Sequence, residues 1–311
     1  MHLQQAQREL ATDLSPLYGQ REGALIADWV MEKLTGRKRI DRLVDRSEPL
    51  PTPTLEQYEK YRAELLAGRP VQYVLAESWF CGMKFYVDER VLIPRPETEE
   101  LVEWVAQTIA AENTAATPAT ASPSPTAPPL PAGTPIPVPP FPAGALLDVG
   151  TGSGCIAISL AKQLPALDTH SCDISGDALA VARRNAAELG ATVHFHHLDF
   201  LDSRRWATLP PIRWLVSNPP YIPLNERTTM ASHVTEAEPS LALFVPDDDP
   251  LVFYRALGEF ARQRLLPGGA VFVEIHEDLA SATIDLFKAA GFQQVILQKD
   301  MQGKDRMIRA S

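Results

Sequence analysis

Cysteine is scarce in this chain, and the three present lie far apart: Cys81, Cys155 and Cys172. An odd count with no metal-ligand spacing excludes a disulfide framework and fits a reducing compartment. Long apolar runs are missing too. No stretch of about 18 apolar residues occurs, so no membrane-spanning helix is expected. Met1-His2-Leu3-Gln4-Gln5-Ala6 has no basic segment leading into an apolar one, so no signal peptide is expected. Positive charge is in deficit: 29 Lys and Arg stand against 39 Asp and Glu, a net charge of −10. Phosphate backbones are gripped by Lys and Arg, so general nucleic-acid binding is not expected. What remains is a soluble cytoplasmic protein, expected to be monomeric. Its 311 residues, 45% hydrophobic, suffice for one large domain and a smaller one.

The first 70 residues read as a small helical domain. Leu10, Leu14 and Leu17, then Leu25, Ile26, Trp29, Val30 and Leu34, recur at helical spacing, and Gly36 is a stop signal. Arg37, Lys38, Arg39 and Arg42 form a basic cluster, read as a solvated face or a partner contact. Thr54, after three prolines, is placed to cap a helix running to Ala67. Residues 71–93 switch to strand chemistry, with Gly82 at a hairpin turn. Ile93-Pro94-Arg95-Pro96-Glu97-Thr98-Glu99 follows, an extended segment in which Glu97 or Thr98 can begin a helix over 100–111. Trp79, Trp104 and Trp214 are expected in the core. Residues 113–144 hold no charge and contain all eleven prolines from Pro118 to Pro142. That composition predicts a semi-extended, mobile insertion.

From Ala145 onward, strands and helices alternate. Strands are expected at 145–149, 168–173, 192–196, 213–217, 270–275, 292–297 and 306–310, with helices at 154–164, 176–189, 250–265 and 278–290. Alternation predicts an α/β domain over 94–311 with a mainly parallel sheet covered on both faces. Only 222–248 breaks the rhythm, as a long irregular segment of the kind that forms lids.

Four strand ends carry chemistry. Asp148-Val149-Gly150-Thr151-Gly152-Ser153-Gly154 is a strand, a glycine loop and a helix start, where the backbone can approach a ligand and N–H groups are free. The spacing G-x-G-x-G differs from the dinucleotide fingerprint. Asp173 closes the next strand, placed to bind ribose hydroxyls or, more plainly, to begin a helix. Asp199 and Phe200 follow the third, suited to an adenine amino group and ring. These three ends describe an adenosine pocket that fits NAD or S-adenosyl-L-methionine. The fourth end is Asn218-Pro219-Pro220-Tyr221. Two prolines cannot continue a sheet, which frees the Pro219 carbonyl. Asn218 and Pro219 can each accept one hydrogen of an –NH2 group, with Tyr221 closing the pocket. A methyl donor explains all four ends; a hydride carrier explains three.

His194 and His196 share a strand face and His197 points away. No third donor joins them at ligand spacing along the chain, so no metal site is expected.

These motifs resemble the release factor glutamine methyltransferases, the PrmC/HemK family. The resemblance rests on Val216 to Pro223, on Val91 to Glu99, on Asp148 to Cys155, on Glu238 to Phe244 and on Lys299 to Arg306. Asn-Pro-Pro-Tyr alone is shared with adenine-N6 DNA methyltransferases; Pro-Arg-Pro-Glu-Thr-Glu separates the two. The resemblance implies a seven-stranded, Rossmann-like class I methyltransferase sheet with an antiparallel last strand. A helical docking domain (1–70) and a β-hairpin connector (71–93) precede it. It implies S-adenosyl-L-methionine as cofactor, held by Gly150, Thr151, Gly152, Ser153, Gly154, Asp173 and Phe200. It implies class-I peptide chain release factors as partners, with the Gly-Gly-Gln glutamine held by Asn218, Pro219, Pro220 and Tyr221. Arg95 and Glu97 are read as walls of the substrate site. Three departures stand out: Val245-Pro246-Asp247-Asp248-Asp249 and His276 where glycines are usual, and Ala76 where the hairpin usually carries Gly. Two other readings stay open, an adenine methyltransferase and a binding module that has kept the fold.

Overall fold

The structure is a computed structural model that describes residues 1–44, 48–116, 144–230 and 235–311. Helices α1 (Leu3–Tyr18) and α2 (Gln20–Thr35) form a hairpin turned at Gly19. Leu3, Ala6, Leu10 and Leu14 of α1 meet Ile26, Ala27, Val30 and Met31 of α2, the i, i+3, i+4 faces foreseen by their spacing. Gly36 ends α2 in the left-handed conformation. α3 (Arg39–Val44) follows, then α4 (Thr52–Leu66) and α5 (Val71–Leu75). α4 begins at Thr52, so Thr54 lies inside its first turn and does not cap it. Tyr58 is fully buried and donates to the Ala6 carbonyl, which locks α4 onto α1. The basic cluster is divided: Arg42 is buried against Asp28, whereas Arg37 pairs with Glu48 at the surface.

Strands β1 (Ser78–Phe80) and β2 (Met83–Phe85) form the hairpin, with Cys81 and Gly82 both at positive φ, as a two-residue turn requires. Phe80 and Phe85 point inward and meet edge to face at 6.1 Å. Trp79 alternates outward and is 63% exposed under Lys84, so the expectation that it is core is wrong; strand period two decides its side. α6 (Pro96–Ala116) starts earlier and ends later than its sequence reading. Proline is favoured in a helix's first turn, where its missing N–H costs nothing. The rest of the proline-rich insertion, 117–143, lies outside the described residues.

Seven strands make one sheet: β3 (Ala145–Val149), β4 (Thr169–Asp173), β5 (His194–His197), β6 (Ile212–Ser217), β9 (Leu265–Glu274), β10 (Val295–Lys299) and β11 (Asp305–Ala310). Their order is β10-β11-β9-β6-β3-β4-β5. β3, β4, β5, β6 and β9 pair in parallel, and β11 runs antiparallel to both β9 and β10. Leu147, Val149 and Leu215 face Leu257, Phe260 and Phe287 of α10 (Val252–Arg264) and α11 (Ala280–Ala289). Leu146, Trp214 and Val216 face α6, α7 (Cys155–Gln163) and α8 (Gly176–Leu189). The irregular segment after β6 is pinned by a small parallel ladder of β7 (Ile222–Pro223) with β8 (Phe244–Val245), just after the short helix α9 (Ser240–Leu243). This is the mainly parallel α/β sheet covered on both faces that the alternation predicts, with the seven strands and antiparallel last strand that the resemblance implies. It leaves a crevice where chain order reverses, between the ends of β3 and β6. Among the described residues no helix is long and apolar enough to cross a membrane.

Candidate active site

A cleft of about 230 Å³ opens at that reversal. Gly150 and Gly152 after β3, Asp173 after β4, Asp199 and Phe200 after β5, and Asn218, Pro219 and Pro220 after β6 all line it. Ile174, Leu198, Leu201, Leu241, Ala242 and Phe253 give it apolar walls. The four strand ends read from the sequence are therefore neighbours in space.

The β3–β4 side is made mainly of backbone. Gly150, Gly152 and Gly154 hold φ of 83°, 52° and 84°, a region that L side chains enter at a cost. At Gly154 a Cβ would also stand 2.8 Å from Ile158 Cδ1 and 3.2 Å from Ala182 Cβ, so glycine lets α7 pack on α8. Asp173 accepts from the Gly152 N–H at 2.9 Å and from the Ser175 N–H at 2.8 Å. It therefore clamps the glycine loop, and each oxygen keeps a lone pair for a hydroxyl. Burial raises its pKa, and the two N–H bonds oppose that rise. Beneath the loop, Asp148 is fully buried. Its Oδ2 accepts from Ser171 (2.8 Å) and Thr151 (3.2 Å), while its Oδ1 has no partner. Burial pushes its pKa up to about 7 against those two bonds, with the charge of Asp173 adding to the rise.

The β6–β9 side is made of interlocked side chains. Asn218 Nδ2 donates to Thr98 Oγ1 at 3.0 Å, and the Thr98 hydroxyl donates to Glu274 Oε2 at 2.6 Å. Tyr221 donates to Glu274 Oε1 at 3.1 Å. Glu274, at the end of β9, is 1% exposed. Burial raises its pKa, opposed by the bonds from Thr98 and Tyr221 and by the charge of Arg306. An ionised carboxylate only accepts, so Thr98 spends its proton on Glu274 and must accept from Asn218. That chain of roles fixes the Asn218 amide with its NH2 turned to Thr98. Among the described residues, neither Asn218 Oδ1 nor the Pro219 carbonyl accepts a hydrogen bond. The site thus offers two uncommitted acceptors, on consecutive residues that line the cleft.

The remaining expected residues have other surroundings. Thr151 turns its hydroxyl to Asp148 and Ser171, and Ser153 Oγ is buried without a partner. Asp199 accepts from the Leu201 N–H at 2.9 Å. Phe200 is 4% exposed and sits between Trp206 and Phe260, so it forms a wall of the cleft and not a projecting platform. Arg95 and Glu97 do not line the cleft. Arg95 pairs with buried Glu238 at 2.5 Å, and Glu238 also accepts from the Ile93 N–H. Glu97 accepts from Gln302. Both therefore tie segments together around the site. Tyr221 follows the lining residue Pro220 but does not itself line the cleft; its ring packs edge to face with His276 at 6.1 Å. His276, a departure from the resemblance, caps the next turn by accepting from the Asp278 N–H. In the other departure, Val245 belongs to the β7–β8 ladder and Asp247 accepts from the Asn225 N–H.

Sequence reasoning missed Thr98 and Glu274 as partners of Asn218, and Arg90, Leu92 and Phe253 as cleft walls. One signal was available: Glu274 is a carboxylate closing an apolar run, Ala270 to Val273, that reads as a buried strand.

Comparison with known proteins follows the same lines. A family described as PrmC N-terminal domain matches residues 3–75, and one described as Methyltransferase small domain matches 133–242. A release factor glutamine methyltransferase of Flavobacterium psychrophilum is 35% identical over 298 residues, covering 96% of this chain and 95% of that protein. Its namesake from Bacteroides thetaiotaomicron is 36% identical, covering 96% of each chain. That from Chlorobaculum tepidum is 38% identical, covering 92% and 89%. Among solved structures, the catalytic domain of hMettl16, in complex with a MAT2A 3′UTR hairpin, shares the fold. It has a TM-score of 0.51 at 13% identity, covering 85% of this chain and 82% of that one.

Proposed function

The chain belongs to the release factor glutamine methyltransferase family, and from that premise we propose that it methylates the side-chain amide nitrogen, N5, of the Gly-Gly-Gln glutamine in class-I peptide chain release factors. The observation that carries this reading is the fixed Asn218 amide: its Oδ1 and the carbonyl of the next residue, Pro219, are both uncommitted, and both residues line the cleft. S-adenosyl-L-methionine, when bound, supplies an electrophilic methyl group. The residues present fit it. The glycine loop brings backbone N–H groups to the cleft, Asp173 offers spare lone pairs to ribose hydroxyls, and Asp199 and Phe200 border an apolar space for adenine.

The chain's own residues address the harder half of the reaction. An amide nitrogen is a poor nucleophile because its lone pair is delocalised into the carbonyl. Asn218 Oδ1 and the Pro219 carbonyl each take one of its N–H groups. They hold the nitrogen in register and stabilise positive charge as it develops there. Two acceptors with no donor between them also select an –NH2 group: a glutamate carboxylate would set oxygen against oxygen. Thr98, Glu274 and Tyr221 act as positioning residues, since each reaches the substrate amide only through Asn218 or the pocket wall. The proton leaves afterward from the cationic nitrogen, so no tuned base is required.

In this reading residues 1–70 dock the protein substrate, 71–93 connect, and 94–311 carry out transfer, in the cytoplasm and as a monomer. The test is incubation with labelled S-adenosyl-L-methionine and one of three acceptors: a release factor, the same factor with its Gly-Gly-Gln glutamine replaced, or DNA. Label is expected on the intact factor alone. Label on DNA and none on the factor would overturn the reading.

A further inference from the structure

The edge of the sheet away from β10 carries a cluster that the methyl-transfer site does not use. Asp168 immediately precedes β4, His170 lies within β4, and His194 and His196 lie on the edge strand β5. Parallel register places His170 opposite His194 and Cys172 opposite His196, so the three imidazoles stand on one face. They stack, with His170 4.7 Å from His194 and 5.2 Å from His196 between ring centres. The Asp168 carboxylate spans the first two: Oδ2 lies 3.1 Å from His170 Nε2 and Oδ1 lies 3.5 Å from His194 Nε2. The three donor atoms all fall within 4.8 Å of one another. Read along the chain, the histidines lacked a third donor. The fold supplies two, from the neighbouring strand.

We propose that Asp168, His170 and His194 form a binding site for a divalent transition-metal ion, zinc being the best match, with His196 as its supporting residue. Zinc holds imidazole and carboxylate donors at about 2.0–2.2 Å, which in a tetrahedron spaces them roughly 3.3 Å apart. The two measured separations straddle that figure. His170 Nε2 is buried and, although 3.1 Å from Asp168 Oδ2, is not aligned for a hydrogen bond to it; it has a lone pair to give if its proton sits on Nδ1. Its Nδ1 lies 2.9 Å from His196 Nε2, which can accept that proton's hydrogen bond. Such a bond holds a ligating imidazole in the correct tautomer and orientation. Two imidazoles and a carboxylate favour zinc over magnesium or calcium, which prefer all-oxygen shells. The Asp168 and His194 side chains are each 58% exposed, so an ion can enter from solvent and keep water as a fourth ligand. Bound there, the ion clamps β5 to β4 near their starts, at the opposite ends of the strands from Asp173 and Asp199. It would hold together two strands whose far ends carry cleft residues, without touching the reaction.

The experiment is calorimetric titration of metal-stripped, tag-free, full-length protein with zinc chloride, repeated with cobalt(II) to read coordination from its visible absorption. One saturable equivalent with a tetrahedral-type cobalt spectrum is expected, together with a rise in Tm on adding zinc. His194→Gln, an exposed change that leaves the fold intact, should abolish binding, the spectrum and the Tm rise, as should His170→Ala. His196→Ala should weaken binding about 10- to 100-fold, and the remote His2→Ala should leave it unchanged. Absence of saturable binding, or binding that survives both His170→Ala and His194→Gln, would overturn the proposal.

Discussion

The two sides of the cleft are built from different material. On the β3–β4 side the ligand-facing groups are largely backbone, shaped by positive-φ glycines and braced by one carboxylate, Asp173. On the β6–β9 side they are side chains in series, Asn218 on Thr98 on Glu274, with Tyr221 on the same carboxylate. Each side also buries an acid, but in opposite conditions. Glu274 has both oxygens engaged, whereas Asp148 leaves Oδ1 without a partner. The difference follows from the tasks. A ligand that brings its own reactivity needs only to be cradled, and amide groups in a fixed loop suffice. A weak nucleophile must be aimed, and a flippable amide such as Asn218 can aim it only if something decides which end faces out.

The largest way to break the comparison is Asn218→Ala. It should lower kcat about 10²- to 10³-fold, the scale of losing one preorganised charge-stabilising group. Affinity for S-adenosyl-L-methionine, measured by equilibrium dialysis, should stay within a few-fold. Near-normal turnover would mean that Asn218 does not aim the substrate amide. Next are Thr98→Val and Glu274→Gln, which leave Asn218 present but unaimed. Each should cost about tenfold or more in kcat with KM little changed, and Thr98→Ser should restore most of the loss. A purely structural role would instead move Tm and leave turnover of the folded fraction intact. A pH profile of kcat sharpens the point. Glu274 orders the network only while ionised, and its pKa lies above the ordinary glutamate value because it is buried. Activity should therefore fall as pH drops through that raised value, and the acid limb should be missing in Glu274→Gln.

This contrast also explains what could be read from the chain. The backbone side was legible because its signals are local. Glycines follow a short apolar strand within a few residues, and the helix expected at 176–189 is found at those bounds. The side-chain side was half legible. Asn218 and Pro219 are announced by prolines that stop a strand. Their supports lie 120 residues from Asn218 in one case, and 176 residues separate Thr98 from Glu274. Thr98 read as a helix start because an N-terminal threonine usually is one, and tertiary hydrogen bonding overrode that local habit. Asp168 and His170 went unnoticed beside His194 for the same reason: strand pairing, not spacing, brings them together. Arg95 and Glu97 were read as walls of the substrate site; their observed partners, Glu238 and Gln302, are distant in sequence and no local signal announces them.

A smaller effect tests the buried acid of the backbone side. With a folded pKa of about 7 against roughly 3.9 unfolded, Asp148 binds a proton more tightly in the folded state. Its contribution is then fully present below pH 4 and is lost as pH rises toward 7. Asp148→Asn, which mimics the protonated form, should remove that decline and leave the variant more stable than wild type at pH 8, by an order of a few kcal/mol at most. Urea unfolding of both proteins at pH 4, 6 and 8 reads the difference directly. Subtraction cancels Asp88, which runs the other way: despite its burial, bonds from Arg90 and Tyr86 hold it down at about 2. A constant difference across that range would mean that folding does not raise the Asp148 pKa.

The smallest effect separates backbone conformation from ligand binding. Ala76 ends α5 at φ 53° and ψ 38°, the left-handed region that favours glycine. An L residue pays about 1–2 kcal/mol there, and glycine recovers that cost less its own unfolded-state entropy of about 0.4–1 kcal/mol. Ala76→Gly should therefore raise stability by roughly 0.5–1 kcal/mol with kcat and KM unchanged. Gly152→Ala introduces the converse change at φ 52°, and a Cβ there meets no atom within 4 Å. It should lose a similar amount of stability and, unlike the change at 76, weaken cofactor binding while sparing kcat at saturation. If both substitutions moved only Tm, the glycine loop would be a turn like any other and the backbone side of the cleft would have no claim on the ligand.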